Sequence, residues 1–204
     1  MISVIDYGLG NVNAIVSAYF QLGINCNIAS QPSDLKSSTH IILPGVGSYD
    51  HALQKIRTKG FEAPLNELVL EQKVKVLGIC VGLQIMTKNS DEGSLSGFGW
   101  IDTDTKRIMP NSQAEKNLKV PHMGWNTIQP SKECSLLQGI NNDPFYFLHS
   151  FALNDPQKIY QSSTAMYGKP LVASVSHQNL YGTQFHPEKS HHQGLRILKN
   201  FYKL

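Results

Sequence analysis

Cys80, His186 and Glu188 have the types and local settings of a nucleophile, a base and the group that orients the base. Cys80 is the centre of Gly78-Ile79-Cys80-Val81-Gly82, between a β-branched apolar run and a stretch carrying Leu83, Ile85 and Met86. That reads as a buried strand turning sharply into the first turns of a helix. Glycines on both sides of the turn remove side chains that would strike neighbouring backbone. A thiol held there projects from the sheet edge, where a helix N-terminus would favour the thiolate. Taken alone, Cys80 is equally a buried core cysteine. The second signal is Tyr181 to Ser190, where a strand ends in His186-Pro187-Glu188. Residues i and i+2 of an extended segment project to one side, so His186 can reach a thiol while Glu188 steadies it. The imidazole takes the thiol proton and the carboxylate fixes its tautomer. A lone His-Pro-Glu at a strand end is usually a turn. His191 and His192 follow, but no cysteine or second carboxylate stands at ligand spacing, so no metal is expected.

The elements that must position these groups alternate strand and helix. Ile2 to Ile5, Cys26 to Ala29, His40 to Leu43 and the run before Cys80 read as strands. The helices between them cover Val12 to Leu22, Tyr49 to Lys59 and Pro64 to Gln72, with Asn11 as the first N-cap. This order implies a parallel sheet covered on both faces. Gly8-Leu9-Gly10 suggests a dinucleotide loop, but Asn13 replaces the third glycine, so no cofactor is expected. Pro44-Gly45-Val46-Gly47-Ser48 reads first as a β-to-α turn, and its N–H groups could also face a ligand or reorient. From about Ile101 the pattern changes to short strand-like runs at Thr127 to Gln129, Phe145 to Leu148, Leu171 to Val175 and Tyr181 to Phe185. These read as antiparallel additions to the sheet. Lys106 to Leu118 reads as a polar loop and Gln193 to Lys203 as a closing amphipathic helix.

Bulk properties narrow the function classes. The chain is 41% hydrophobic and 16% charged, enough for one substantial core and ordinary for a globular protein. A formal charge of +3, with dispersed Lys and Arg, gives no footprint for nucleic acid. Cys26, Cys80 and Cys134 have no disulfide or zinc spacing and suit a reducing compartment. The first residues lack the basic start of a signal peptide, and no apolar run reaches the ~18 residues of a membrane span. One α/β domain over residues 1–204, in the cytoplasm, is the expectation.

Gly78-Ile79-Cys80-Val81-Gly82-Leu83-Gln84 together with Gly182-Thr183-Gln184-Phe185-His186-Pro187-Glu188-Lys189-Ser190 resembles the class I (triad) glutamine amidotransferases. Asp6 to Asn11, Leu43 to Ser48, Pro121 to Asn126 and Tyr146 to Phe151 further resemble the glutaminase subunits of imidazole glycerol phosphate synthases. The motifs run in order from end to end. The resemblance implies a flavodoxin-like three-layer sandwich with a mixed, mostly parallel sheet and added antiparallel strands. It implies glutamine hydrolysis through a thioester on Cys80, with His186 as base and acid and Glu188 as orienter. It assigns the oxyanion hole to the N–H groups of Val81 and Val46, and glutamine binding to Gly47, Gln84, Glu92, His149, Ser150 and Phe151. Ammonia would pass to a (β/α)8 cyclase subunit in a heterodimer, serving histidine biosynthesis. Asn11, Trp125, Tyr146 and Lys189 lie in motifs that face that subunit, though ordinary packing or surface explains them equally well. Val81 and Leu83 stand where Leu and Met are common, and Phe151 where Tyr is; all keep their apolar or aromatic character. A paralogous glutaminase that feeds a surface-sugar amidating synthetase is the alternative. The vitamin B6 type fits the Pro121 to Asn126 motif less well, a silent binding protein has little need of all three triad residues, and a peptidase suits the small polar surroundings of Glu92 poorly.

Overall fold

The computed structural model describes residues 1–109, 118–131 and 133–204. Four short apolar strands, β1 (Ile2–Ile5), β2 (Cys26–Ala29), β3 (His40–Gly45) and β4 (Lys75–Cys80), lie parallel in the order β2-β1-β3-β4. All four residues of β1 and all six of β3 are buried, as strands covered on both faces must be. The β1-to-β2 and β3-to-β4 crossovers run in opposite directions along the sheet. With both right-handed, α1 (Val12–Gln21) and α2 (Tyr49–Thr58) cover opposite faces. The next helix, α3 (Glu62–Asn66), continues as one π turn over Glu67–Glu71. The last helix, α5 (His191–Lys203), packs beside α1, where Tyr19 Oη–H donates to the Leu198 carbonyl at 3.1 Å. This is a three-layer α/β sandwich.

The second half enlarges the sheet with β6 (His122–Pro130), β7 (Pro144–His149), β9 (Gln161–Tyr167), β10 (Lys169–His177) and β11 (Leu180–Thr183). The order continues β4-β11-β10-β9-β6-β7. Only β11 joins in parallel, so among the described residues the nine strands make four parallel and four antiparallel pairings. The added half is as large as the parallel core. Two further strands, β5 (Asp104–Arg107) and β8 (Phe151–Asn154), pair with each other outside the main sheet. Lys106 and Arg107 therefore belong to a strand rather than a loop; 110–117 of that expected loop lie outside the described residues.

Four strand spacings of roughly 4.8 Å would hold β7 about 19 Å from β11 in a flat sheet. Yet His186 N–H, just past β11, donates to the Tyr146 carbonyl of β7 at 2.9 Å. The antiparallel half thus curls over the carboxyl ends of the parallel strands, helped by a register break between Val172 and Val175 that bends β10. Side chains from both halves can meet there.

Two local expectations are corrected. Asn11 does precede α1, but with φ −91° and ψ 63° its side chain makes no capping bond. The helix after Cys80, α4 (Val81–Gln84), is a single turn. The carbonyls that would extend it, of Ile85, Met86, Thr87 and Lys88, instead accept from Phe98, Ile101, Gly99 and Gly97.

Candidate active site

Gly45 pairs with Cys80, and Ile79 with Thr183, so β3, β4 and β11 deliver Val46, Cys80 and the His186 segment to one sheet edge. Cys80 sits at φ 54° and ψ −111°, a strained backbone for a residue with a side chain. The flanking glycines make it possible. A Cβ on Gly82 would lie 1.8 Å from the Leu43 carbonyl oxygen, and one on Gly78 would lie 2.6 Å from Leu83 Cα. With only one helical turn behind it, Cys80 gains little from a macrodipole, which needs aligned peptides. Its polar neighbours must do more.

Those neighbours are specific. His186 Nδ1–H donates to Glu188 Oε1 at 2.8 Å, and both side chains are almost wholly buried. Pro187 opens a 3-10 turn rather than an extended segment, so the pair meets across a turn and not by i, i+2 alternation. Ser190 Oγ–H donates to the His186 carbonyl at 2.6 Å and accepts Tyr146 N–H at 3.0 Å, fixing the segment to β7. Burial alone would lower the imidazole's proton affinity. Contact and charge from Cys80 and Glu188 outweigh it and push the His186 pKa up to about 10. The sulfur donates toward the Leu148 carbonyl at 3.7 Å and accepts from Gln184 Nε2 at 3.6 Å.

Cys80 and His186 open onto a cavity of about 260 Å³. Every position expected to hold glutamine or its oxyanion lines it: Val46, Gly47, Val81, Gln84, Glu92 and the His149-Ser150-Phe151 segment. Glu188 does not line it and pairs with His186 from behind. Gly47 takes φ +87°, a conformation open to glycine, and Val46 is 37% exposed at the cavity wall. Glu92 Oε2 accepts Tyr49 N–H at 2.9 Å at the start of α2, which leaves Oε1 for a ligand. Gln84 spends its amide N–H groups on the Phe151 carbonyl at 2.9 Å and Gln184 Oε1 at 3.2 Å. Its own Oε1 is what remains for substrate. A larger cavity, about 580 Å³, lies beside β5, β8 and β10 and holds none of these groups. Convergent chemistry rather than size marks the site.

His149 joins a buried chain with a determined direction. The Phe151 carbonyl can only accept, so His149 Nδ1–H donates to it at 2.9 Å, and His149 Nε2 accepts from His122 Nδ1–H at 3.0 Å. Asn126 Nδ2–H completes the chain on His122 Nε2 at 3.2 Å. Burial pushes His122 down to about 4 and His149 down to about 3, so both stay neutral. Beside the cavity, Trp125 faces Tyr146 edge-on at 6.1 Å, Lys189 Nζ stands 5.6 Å over the Tyr146 ring, and His191 stacks on Trp125 at 5.1 Å. Three of the four expected interface residues thus cluster, with exposed Met123 and Leu148 beside them. Among the described residues, Asn11 makes no hydrogen bond or ring contact with them. Sequence reasoning missed Gln184, Ser190, His122 and the Leu148 carbonyl. Each stands inside or beside a quoted motif, and that adjacency was their only signal.

The profile of the family described as "Glutamine amidotransferase class-I" matches residues 3–204. The chain belongs to the class-I glutamine amidotransferases. Among full-length relatives of this amidotransferase, "Imidazole glycerol phosphate synthase subunit HisH" of Bdellovibrio bacteriovorus is 42% identical over 205 residues, covering 100% of both chains. The protein of the same name from Leptospira interrogans is 40% identical, again over 100% of both. Among solved structures, one described as a glutamine amidotransferase superposes with a TM-score of 0.76 at 17% identity, covering 99% of this chain and 97% of that one. A putative GMP synthase protein from Thermoplasma acidophilum gives 0.73 at 20% identity, covering 99% and 92%. At such identities these structures speak for the fold alone.

Proposed function

We propose that this amidotransferase is the glutaminase subunit of an imidazole glycerol phosphate synthase and acts as one domain over residues 1–204 in the reducing cytoplasm. The observation that carries the reading is the buried 2.8 Å His186–Glu188 pair set against Cys80 in a cavity that Glu92 also lines. The Cys80 thiolate attacks the side-chain amide carbon of glutamine, and the oxyanion is held by Val81 N–H and, once its loop is turned, Val46 N–H. Each such donor is worth about 3 kcal/mol. His186 passes its proton to the departing nitrogen and ammonia leaves. Water, deprotonated by the same imidazole, then attacks the thioester; glutamate departs and the sulfur is regenerated.

Ammonia made without an acceptor is wasted, so the free subunit gains from being idle. The face around Trp125, Tyr146 and Lys189 borders the cavity and offers a (β/α)8 cyclase a docking surface from which ammonia is handed on. With the Val46 loop turned away, one oxyanion donor is missing until the partner docks. Glutamate release by the purified chain is therefore expected to be weak and to rise sharply when the cyclase and its nucleotide substrate are added. Equal rates with and without the partner would refute this coupling. The surface-sugar alternative uses the same catalytic site with a different acceptor; rescue of a histidine auxotroph separates the two.

A further inference from the structure

The hydrogen-bond directions around the nucleophile are determined by elimination. The Phe151 carbonyl has no proton to give, so Gln84 must present its amide nitrogen there, at 2.9 Å. The same nitrogen has one more hydrogen, and Gln184 Oε1 accepts it at 3.2 Å. Gln184 must then turn its own nitrogen away, and that nitrogen lies 3.6 Å from Cys80 Sγ. Flipping Gln184 would set two N–H₂ groups face to face and an oxygen against the sulfur. Gln84 cannot flip in compensation, because its oxygen would then meet the Phe151 carbonyl. His149 Nδ1–H occupies that carbonyl from its other side, at 2.9 Å. Gln184 is fully buried and its backbone N–H is tied to the Ala173 carbonyl at 2.8 Å, so the side chain starts from a fixed point.

We infer that Gln184 is a further catalytic residue of this site, an N–H donor to the Cys80 sulfur, held in its orientation by Gln84 and the Phe151 carbonyl. The inference rests on the reading of Cys80 as the nucleophile. Besides His186, whose contact favours the thiolate, the sulfur has a further neighbour in the Leu148 carbonyl at 3.7 Å, which can only accept the thiol proton. That contact favours the neutral thiol, since an ionised sulfur would face a carbonyl oxygen. The Gln184 N–H does the opposite and gains strength as charge collects on sulfur. With α4 only one turn long, it supplies what the helix dipole does not. The same donor stabilises the sulfur each time it leaves as thiolate from the thioester. The amide pair also joins the nucleophile to the Phe151 backbone, and Phe151 lines the cavity.

The test compares the full chain with Gln184→Met, which keeps length and loses the donor. Alkylation by iodoacetamide is followed across the neutral pH range, with Cys80, Cys26 and Cys134 resolved as separate peptides by mass spectrometry. The expected result is a roughly 10-fold slower reaction at Cys80 near neutral pH, its half-maximal rate reached at higher pH, with Cys26 and Cys134 unchanged. An unchanged Cys80 profile in folded Gln184→Met overturns the inference. If faster labelling of Cys26 and Cys134 shows that this variant unfolds, the side-chain amide resonance of Gln184 decides. It is expected to move upfield in Cys80→Ala, and an unmoved resonance overturns the inference. Glutaminase activity surviving in Cys80→Ala would instead sink the nucleophile assignment, so the two failures are told apart.

Discussion

At the scale of single residues, the candidate site holds one buried carboxylate with only half of its acceptors used. Glu188 Oε1 holds His186, while among the described residues Oε2 is buried without a partner, so the negative charge bears chiefly on the imidazole. Glu188→Gln keeps an acceptor of the same size and removes the charge. Its kcat is expected to fall roughly 100-fold or more, with the KM for glutamine little changed because Glu188 does not line the cavity. The His186 titration, followed by NMR, should move down from about 10. An unmoved titration would show that the carboxylate does not set the charge of the base. The proposed triad was legible in the sequence because Cys, His and Glu advertise their chemistry by type. Gln184 was not, since a glutamine at a strand end has no such signature; its role exists only through the orientation of two neighbouring acceptors.

Among the elements, the turn at Cys80 is where sequence and geometry agree best. Both glycines of G-x-C-x-G are needed because neighbouring backbone occupies the space a side chain would take. Gly82→Ala places a methyl group on the Leu43 carbonyl and is expected to cost about 3 kcal/mol or more in urea unfolding, with loss of glutaminase activity. Wild-type stability in that variant would contradict the close approach. The length of the helix that follows is not legible because Leu83, Ile85 and Met86 are buried on every side, so periodicity carries no stop signal. Its end is set by residues 97–101, which take the carbonyls. Strands β5 and β9 escape sequence reading for a related reason. Asp104–Arg107 is charged, and the buried serines of β9 are satisfied by Ser174 on β10, at 2.8 Å from Ser162 and 2.6 Å from Ser163. Polar residues that find partners inside a sheet look like loop when the partner is unknown.

For the molecule as a whole, buried imidazoles shape stability against pH. Burial pushes His40 and His122 down to about 4 and His149 down to about 3, against an ordinary 6.5. Groups with lowered values bind more protons unfolded, so their stabilisation is present above about 6.5 and lost as pH falls toward 3. His186, raised to about 10, behaves oppositely: its contribution is whole below 6.5 and is lost as pH climbs through 10. Melting temperature is thus expected to fall between pH 7 and pH 4, and less steeply in His122→Gln; an acid limb identical in that variant would remove His122 from the account. The parallel core and its helices were readable from the order of apolar runs, whereas the curl bringing β7 over the active site depends on contacts between distant residues. The central claim is that the cavity turns glutamine into a covalent adduct of Cys80. Its most direct measurement is labelling of the protein, with the proposed cyclase partner, by the glutamine analogue 6-diazo-5-oxo-norleucine. One label on Cys80, blocked by glutamine and matching the loss of activity, is predicted; label on Cys26 or Cys134, or none at all while glutamine is still turned over, would contradict it.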